Sequence, residues 1–215
     1  KKIDNIFYPS SDKIIIDKNT KLSQKTNLVI REGQSIIIKN DAILAFFGNI
    51  QIIGSESSKA KIIGEEPGFG SIISLNNLFD AKNLDFKNLK APNLNGFTLY
   101  GGVNIINSKV NLANITFYNS LSEDALNLIN SKSELSNVNF LNSKSDALDI
   151  DSGSSNIQSI YCDNIGNDCL DFSNSNVLID RIKAKNIFDK SVSIGEKSNV
   201  KINYLNIKNS EIGIA

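Results

Sequence analysis

The chain has 215 residues with 23 basic and 23 acidic side chains and no histidine, so its formal net charge is zero. A neutral chain has no global field to attract nucleic acid, and the absence of histidine removes the commonest general base and the commonest zinc or iron ligand. A membrane span requires a run of about 20 apolar residues, and the sequence contains none. Residues 1–4 lack the apolar stretch of a secretory signal. We expect no membrane span, and any chemistry must rest on carboxylates, lysine, arginine, tyrosine or a bound ion.

Short β-rich runs occupy the first hundred residues, at 28–30, 35–38, 50–53 and 61–63. Each is rich in Ile, Leu or Val and is followed by turn residues, which is typical of strands. Residues 64–70 and 89–96 hold two of the three prolines and interrupt this pattern, so we expect them to form loops outside the main body. We predict irregular coils over residues 1–100.

A repeat of about 22 residues dominates the rest of the chain. Equivalent segments begin at Glu123, Ser145, Asn167 and Asp189, at intervals of 22 residues. A repeat of this length indicates a solenoid, and three runs of alternating apolar and polar residues per repeat favour three strands per coil. The sequence therefore predicts an all-β fold, a single-stranded right-handed parallel β-helix. We expect it to form a single domain over 1–215, with regular coils over 101–215.

Asparagine recurs at one position of this repeat. The residues are Asn119, Asn142, Asn164, Asn186 and Asn209. Asparagine tolerates the left-handed backbone conformation of a tight turn, and its amide can bond the equivalent amide one coil along. We therefore predict a ladder of stacked amides along one corner of the helix.

Cys162 and Cys169 are the only cysteines, seven residues apart in the sequence. Two cysteines do not make the disulfide framework of a small secreted domain, and free cysteine is among the most frequently buried residue types. A disulfide is the alternative, but we expect two buried thiols.

Three motifs of the regular coils follow one another as in a known family. They are Lys144-Ser145-Asp146-Ala147, Asn167-Asp168-Cys169 and Lys190-Ser191-Val192-Ser193-Ile194-Gly195. In this order they resemble the polygalacturonases of the pectin-lyase-like superfamily, which implies a parallel β-helix. That resemblance also implies that Asp146 and Asp168 occupy two of three acidic catalytic positions, that Asn167 occupies the third, and that the family's histidine has no counterpart. Residues 95–215 are more similar to β-helix modules of bacterial surface proteins, some of which lie beside spore-coat-kinase-like domains. This similarity rests on four motifs: Glu123-Asp124-Ala125-Leu126-Asn127, Ser145-Asp146-Ala147, Asp171-Phe172-Ser173, and Asp189-Lys190 followed by Ser193-Ile194-Gly195-Glu196.

The acidic residues of the repeat are predicted to form two columns. Inward Leu148 and Ile150 turn Asp149 and Asp151 outward, while Asp146 lies at the bend before the strand. Successive coils lie about 4.8 Å apart, so equivalent residues stack. The first column is Asp124, Asp146 and Asp168, continued by Lys190, and the second is Asn127, Asp149 and Asp171. We call these two columns together the acidic strip.

Stacked carboxylates raise one another's pKa, which lets a carboxylic acid serve as a general acid. In an enzyme, the candidate catalytic residues are Asp146, Asp168, Asp149, Asp171 and Lys190. Lys190 would act as a base, neutralise Asp168 or hold a uronate carboxylate. The candidate substrate-binding residues are Asp124, Asn127, Asn167, Tyr100 and Tyr118, the two tyrosines serving as platforms for a sugar unless they pack into the core.

Two other interpretations use the same residues. Carboxylates this close together can bracket Ca²⁺, and the candidate ligands are Asp124, Asp146, Asp168 and Glu123, with Asn127 completing the oxygen shell. The strip can equally be a solvated polar face whose aspartates form turns.

We expect a bacterial extracytoplasmic protein, secreted or at the cell surface, that contacts polysaccharide, including uronate-containing chains. Hydrolase, lyase or epimerase activity is the first hypothesis, with no required cofactor and calcium as the one option. The alternative is a structural, adhesive or calcium-binding module of a larger surface protein. Because there is no initiator methionine, we expect a mature or excised piece whose parent carries further domains.

Overall fold

The computed structural model describes residues 5–215, so the prediction made on residues 1–4 lies outside the described residues. Every element of regular structure within 5–215 is a β-strand, and the strands pair in parallel. They form a solenoid of about 9 turns with roughly 23 residues per turn. The predicted all-β parallel β-helix is confirmed. The described chain contains no helix long and apolar enough to cross a membrane.

The irregular coils contain ten strands: β1 (Asn5–Phe7), β2 (Lys13–Ile16), β3 (Thr20–Leu22), β4 (Thr26–Arg31), β5 (Ser35–Ile38), β6 (Ala42–Phe46), β7 (Ile50–Ile53), β8 (Ala60–Gly64), β9 (Gly70–Leu75) and β10 (Leu78–Lys87). The regular coils contain nine: β11 (Gly101–Ile106), β12 (Lys109–Tyr118), β13 (Asp124–Ile129), β14 (Lys132–Ser143), β15 (Asp146–Asp151), β16 (Ser154–Ile165), β17 (Leu170–Ser173), β18 (Asn176–Ile194) and β19 (Asn199–Ile214).

A regular coil has three straight segments, although it contains only two strands. The longer strand, such as β12, bends at Asn114, whose φ is 58°. The pairing with β10 passes over that residue, because Ala113 and Ile115 both have partners and Asn114 does not. We call the sheet built from the long strands sheet A, and the sheet of short strands β11, β13, β15 and β17 sheet B. This arrangement accounts for the three runs per repeat seen in the sequence.

The core consists of inward side chains stacked from coil to coil. In sheet B, Leu126, Leu148 and Leu170 are paired partners, and all three are fully buried. In sheet A, the ring of Phe117 stacks between those of Phe86 and Phe140, with centroid separations of 4.6 and 4.8 Å. The ring separation matches the spacing of neighbouring strands, so the coil repeat itself sets the stacking distance.

The predicted asparagine ladder is present along the corner between sheets A and B. The Asn142 amide donates to Asn119 at 3.2 Å, and the Asn164 amide donates to Asn142 at 2.9 Å. The next step differs, because Asn186 donates to Asp163 instead of Asn164. All the asparagines of this ladder have positive φ, as a left-handed corner requires.

Two loops interrupt the strands where the prolines predicted them, although Leu89 of the second loop packs into the core. Residues 65–69 connect β8 to β9, and residues 88–100 connect β10 to β11. The second loop follows sheet B, since Lys90 forms an ion pair with Asp41 at one end and the Tyr100 carbonyl accepts the N–H of Asp124 at the other. The loop thereby reaches the first residue of the acidic strip.

Cys162 and Cys169 form a disulfide, so the expectation of two free thiols is wrong. Cys162 lies near the end of β16, and Cys169 lies just before β17, on the other side of the corner. Both side chains point into the core and are fully buried, with Cα atoms 6.0 Å apart. The reversal of the chain at the corner brings the two cysteines together, which their sequence spacing alone does not reveal.

Candidate functional site

The first acidic column lies where sheet B begins. Asp124 and Asp146 are the first residues of β13 and β15 and are paired partners, and Asp168 lies two residues before β17. Their exposures are 3%, 8% and 3%, so all three side chains are buried. The predicted stacking of this column is present, but its carboxyl groups face the corner backbone rather than open solvent.

Main-chain and amide donors occupy two of these carboxyl groups. Asp146 Oδ1 accepts the N–H of Asp168 at 2.8 Å and the Asn167 amide at 2.7 Å. Asp168 Oδ1 accepts the N–H of Lys190 at 2.8 Å. Each of these aspartates therefore accepts a hydrogen bond from an N–H group of the next coil, at a corner where the strands do not pair. The Asn167 amide thereby orients the Asp146 carboxyl group.

The second column runs along the strands of sheet B. Asn127 pairs with Asp149, and Asp149 pairs with Asp171. Asn127 is buried, and its amide nitrogen donates to Asp124 Oδ2 at 2.8 Å and to Asp149 Oδ2 at 3.2 Å. Its amide oxygen has no hydrogen-bond partner within residues 5–215. Asp149 and Asp171 are half-buried, so this column offers the accessible carboxyl groups of the strip.

Burial and mutual repulsion raise the pKa values of four aspartates of the strip, Asp124, Asp146, Asp149 and Asp168. Burial, followed by the charges of Asp151 and Asp124, raises the pKa of Asp149 to about 8. Burial likewise raises the pKa of Asp124 to about 7, with the Asn127 hydrogen bond acting in the opposite direction and the Asp146 charge adding to the rise. Burial also raises the pKa of Asp146 and Asp168. A pKa of about 8 favours the protonated form of the Asp149 carboxyl group at neutral pH.

Asp151 belongs to this group, although it is not among the predicted site residues. It is two residues after Asp149 in β15, so both side chains point to the same face of the strand. Burial and the charge of Asp171 raise its pKa, while a hydrogen bond from Asp149 lowers it. The two-residue spacing in Asp149-Ile150-Asp151 is the sequence signal that identifies it.

Lys190 follows Asp168 in the first column and places a positive charge beside it. Its ammonium group contacts Asp168 at 3.4 Å and Asp189 at 2.5 Å. The hydrogen bond to Asp189, with the nearby charge of Asp168, raises the pKa of Lys190. Of the roles expected for Lys190, this geometry favours charge neutralisation or carboxylate binding, because a lysine with a raised pKa is a poor base at neutral pH.

The predicted calcium ligands are Asp124, Asp146, Asp168 and Glu123. The first three are stacked and buried, whereas Glu123 is exposed in the turn before β13. Within residues 5–215, no group of three or more histidine, cysteine, aspartate or glutamate side chains is placed to hold a metal ion. The donors that surround Asp146 and Asp168 are N–H groups, which compete with a cation for the same oxygens.

Of the two predicted tyrosine platforms, only Tyr100 lies beside the strip. It is 49% exposed, and its carbonyl accepts the N–H of Asp124 at 3.2 Å. Phe97, in the same loop, is also exposed. Tyr118 ends β12 in sheet A, where the Lys87 ammonium lies 4.8 Å from its ring centre. Tyr100 is therefore the exposed tyrosine of the two, and its main chain adjoins the strip.

A separate groove of about 580 Å³ crosses five coils on sheet A. Its polar lining includes Asn111, Glu134, Asn156, Asp180 and Lys201. None of the acidic-strip residues lines it. The strip and this groove are therefore different surfaces of the helix.

No protein-family model matches the sequence, and no curated protein matches it. Two solved structures with a similar fold are mutants of the periplasmic alginate epimerase AlgG, with TM-scores of 0.42 and 0.35 and identities of 8% and 9%. They align with 98% and 94% of this chain, which spans 62% of the epimerase chain in each case. A third is the Streptococcus pneumoniae surface protein and adhesin PfbA, with a TM-score of 0.26 and 10% identity, over 94% of this chain and 91% of that chain. At these identities the likeness concerns the fold alone.

Proposed function

We propose that this chain is an extracytoplasmic β-helix that contacts polysaccharide along the acidic strip and acts on it by proton transfer. The observation that carries the proposal is the state of Asp149. Its pKa of about 8 keeps the carboxyl group protonated at neutral pH, and the half-buried side chain remains within reach of a ligand. A protonated carboxylic acid at a reachable position is what general acid catalysis on a sugar requires.

Asp149 is the proposed acid, and Asp171 is the proposed base or nucleophile. The two residues are paired partners on neighbouring coils, at a strand spacing of about 4.8 Å. Side chains that point the same way at this strand spacing suit the carboxyl separation of about 5–5.5 Å used by retaining glycosidases better than the gap of about 6.5–9.5 Å that inverting enzymes need for water. The proposal therefore covers retaining hydrolysis, elimination and epimerisation, which all use an acid and a base at short range.

Asp146 and Asp168 are assigned a positioning role in this proposal. Both accept main-chain N–H groups of the next coil, so their oxygens are less available to a substrate than those of Asp149 and Asp171. Lys190 neutralises Asp168 and offers a positive charge to an acidic sugar. Tyr100 provides an exposed ring next to Asp124 for stacking against a sugar face.

The Cys162–Cys169 disulfide supports the extracytoplasmic assignment. Disulfides persist in the periplasm, at cell surfaces and in secreted proteins, and are rare in reducing cytosol.

The test is turnover of a panel of acidic polysaccharides, followed by reducing ends, unsaturated products and sugar configuration. We expect Asp149→Asn and Asp171→Asn each to lower the rate about 100-fold or more. Asp80→Asn, in β10 on sheet A, is the matched control and keeps wild-type activity. Loss of activity in the control, or full activity in both strip variants, contradicts the assignment.

The second candidate is a non-catalytic structural or adhesive module. The bonds from Asp146 and Asp168 to the main chain favour it, because they give the repeated aspartates a purely structural use. An absence of turnover by the wild type on every polysaccharide of the panel would favour this candidate. A calcium-binding variant of it predicts a calcium-dependent rise in thermal stability that is lost in Asp124→Asn.

A further inference from the structure

A second pocket lies at the corner just before the acidic strip. It has a volume of about 240 Å³ and is formed by four successive turns of the chain at the asparagine ladder. Its lining includes Leu121, Ser143, Lys144, Gly166 and Phe188. Pockets that enclose a drug-sized ligand measure about 300–1,000 Å³, so this one is suited to a single ring of a longer chain.

Phe188 gives the pocket an exposed aromatic wall. It is 65% exposed, although phenylalanine is among the residues most often buried, and the partly exposed Leu121 lines the same pocket. Apolar side chains grouped on a surface mark ligand sites more often than chance exposure does. An exposed phenyl face fits the C–H face of a sugar ring, since both are flat and apolar.

Ser143 provides an unused polar group in the same lining. It is only 5% exposed, yet its hydroxyl has no hydrogen-bond partner within residues 5–215. The equivalent serine one coil earlier, Ser120, bonds Ser122 at 2.7 Å. A buried hydroxyl without a partner needs an explanation, because nearly all such groups are satisfied in proteins. A ligand hydroxyl in the pocket would supply the missing bond once the Ser143 side chain rotates toward the pocket.

Lys144 makes the pocket positive beside an otherwise acidic surface. Its side chain is exposed, it takes part in none of the ion pairs found within residues 5–215, and the pocket lining contains no acidic residue. A side chain at Gly166 would begin only 2.0 Å from the Lys144 carbonyl oxygen, so glycine is required for the close packing of these two coils. The charge at this corner therefore complements an anion.

We propose that this corner pocket binds one hexuronate unit of the polysaccharide that lies on the acidic strip. Phe188 stacks on the ring, Ser143 bonds a ring hydroxyl, and Lys144 pairs with the uronate carboxylate. Lys144 lies in the bend between β14 and β15, two residues before Asp146, so the pocket adjoins the start of the acidic strip. The inference rests on the proposed function, names its substrate class and adds a specificity site to it.

The test is calorimetric binding of a hexuronate hexasaccharide and of its carboxyl-reduced form. Phe188→Ala is expected to raise the Kd for both ligands about tenfold, which equals about 1.4 kcal/mol. Lys144→Gln is expected to raise the Kd for the uronate about tenfold and to leave that of the reduced form unchanged. Tyr204→Ala and Lys61→Gln are the controls, since each removes an exposed side chain of the same type outside the pocket.

Wild-type Kd values in both pocket variants, with unchanged thermal stability, overturn the subsite even if turnover is detected. The reverse result separates the two proposals: if the pocket variants lose binding while the wild type turns over no substrate, the subsite stands and catalysis on the strip fails. A wild type that binds neither ligand overturns the subsite directly.

Discussion

Asp146 Oδ1 accepts the main-chain N–H of Asp168 at 2.8 Å, so a side chain of one coil holds the backbone of the next. The same bond recurs one coil later, from Asp168 to the N–H of Lys190. The aspartate repeat thus has a structural reason that is independent of any chemistry. Asp149, which has no such main-chain bond among its contacts, carries the protonated carboxyl group.

Replacing Asp146 tests this structural role. Asp146→Ala leaves the buried N–H of Asp168 without an acceptor, and we expect it to lower the free energy of unfolding by about 1–3 kcal/mol. Asp146→Asn keeps an acceptor oxygen in the same place, so we expect a much smaller decrease in the free energy of unfolding. Urea denaturation of both variants measures the difference, and equal losses would show that the bond to Asp168 is not what the aspartate contributes.

The raised pKa of Asp149 predicts that stability falls with rising pH. The group binds its proton more tightly in the folded state, with a pKa of about 8, than at its ordinary value of 3.8. The folded protein therefore holds more protons between these two values, and the free energy of unfolding decreases as pH rises through this window. Asp124, whose pKa is about 7, acts in the same direction.

Asp149→Asn should flatten this dependence. We expect the variant to lose less stability than the wild type between about pH 5 and about pH 8 in urea denaturation. Asp80→Asn, on sheet A, should keep the wild-type slope. Parallel curves for the wild type and Asp149→Asn would mean that Asp149 is already ionised at neutral pH, which would remove the proposed acid.

The disulfide is predicted to contribute to stability despite its short loop. A cross-link between residues seven positions apart lowers the conformational entropy of the unfolded chain, which stabilises the folded state by about 2–3 kcal/mol. We expect the double variant Cys162→Ala with Cys169→Ala to lose about that much in urea denaturation. Dithiothreitol should destabilise the wild type and leave the double variant unaffected, whereas an effect on both would point to another cause.

Asn142 tests the corner ladder. It donates to Asn119, accepts from Asn164 and has a φ of 60°. Asn142→Ala loses both bonds and places alanine in the left-handed region, which costs about 1–2 kcal/mol more than it would for glycine. Asn142→Gly should therefore be the more stable of the two variants by thermal or urea unfolding. If both unfold alike, backbone strain is not what selects asparagine at this corner.

Much of the fold follows from periodicity that is visible in the chain. Ser145 and Asn167 begin equivalent segments 22 residues apart, and Leu148 and Leu170, which are also 22 residues apart, are paired in the structure. Parallel coils stack equivalent residues one above another, so the repeat length predicts this pairing. The loops at 65–69 and 88–100 follow from proline and from the interrupted β pattern. The acidic strip was predictable for the same reason, since any side chain repeated once per coil must form a column.

The periodicity does not predict the burial or the hydrogen-bond partners of each column. Asp146 and Asp149 are both repeated aspartates, yet one accepts main-chain donors and the other is the protonated acid, because corner and strand positions differ in burial and in available N–H groups. The disulfide and the corner pocket around Phe188 likewise arise from residues that the chain reversal brings together. The sequence by itself determined the coil, its register and the residues of each column. Only the tertiary structure decided which carboxyl groups are buried and which reach solvent, because burial and hydrogen bonding depend on neighbours from other coils.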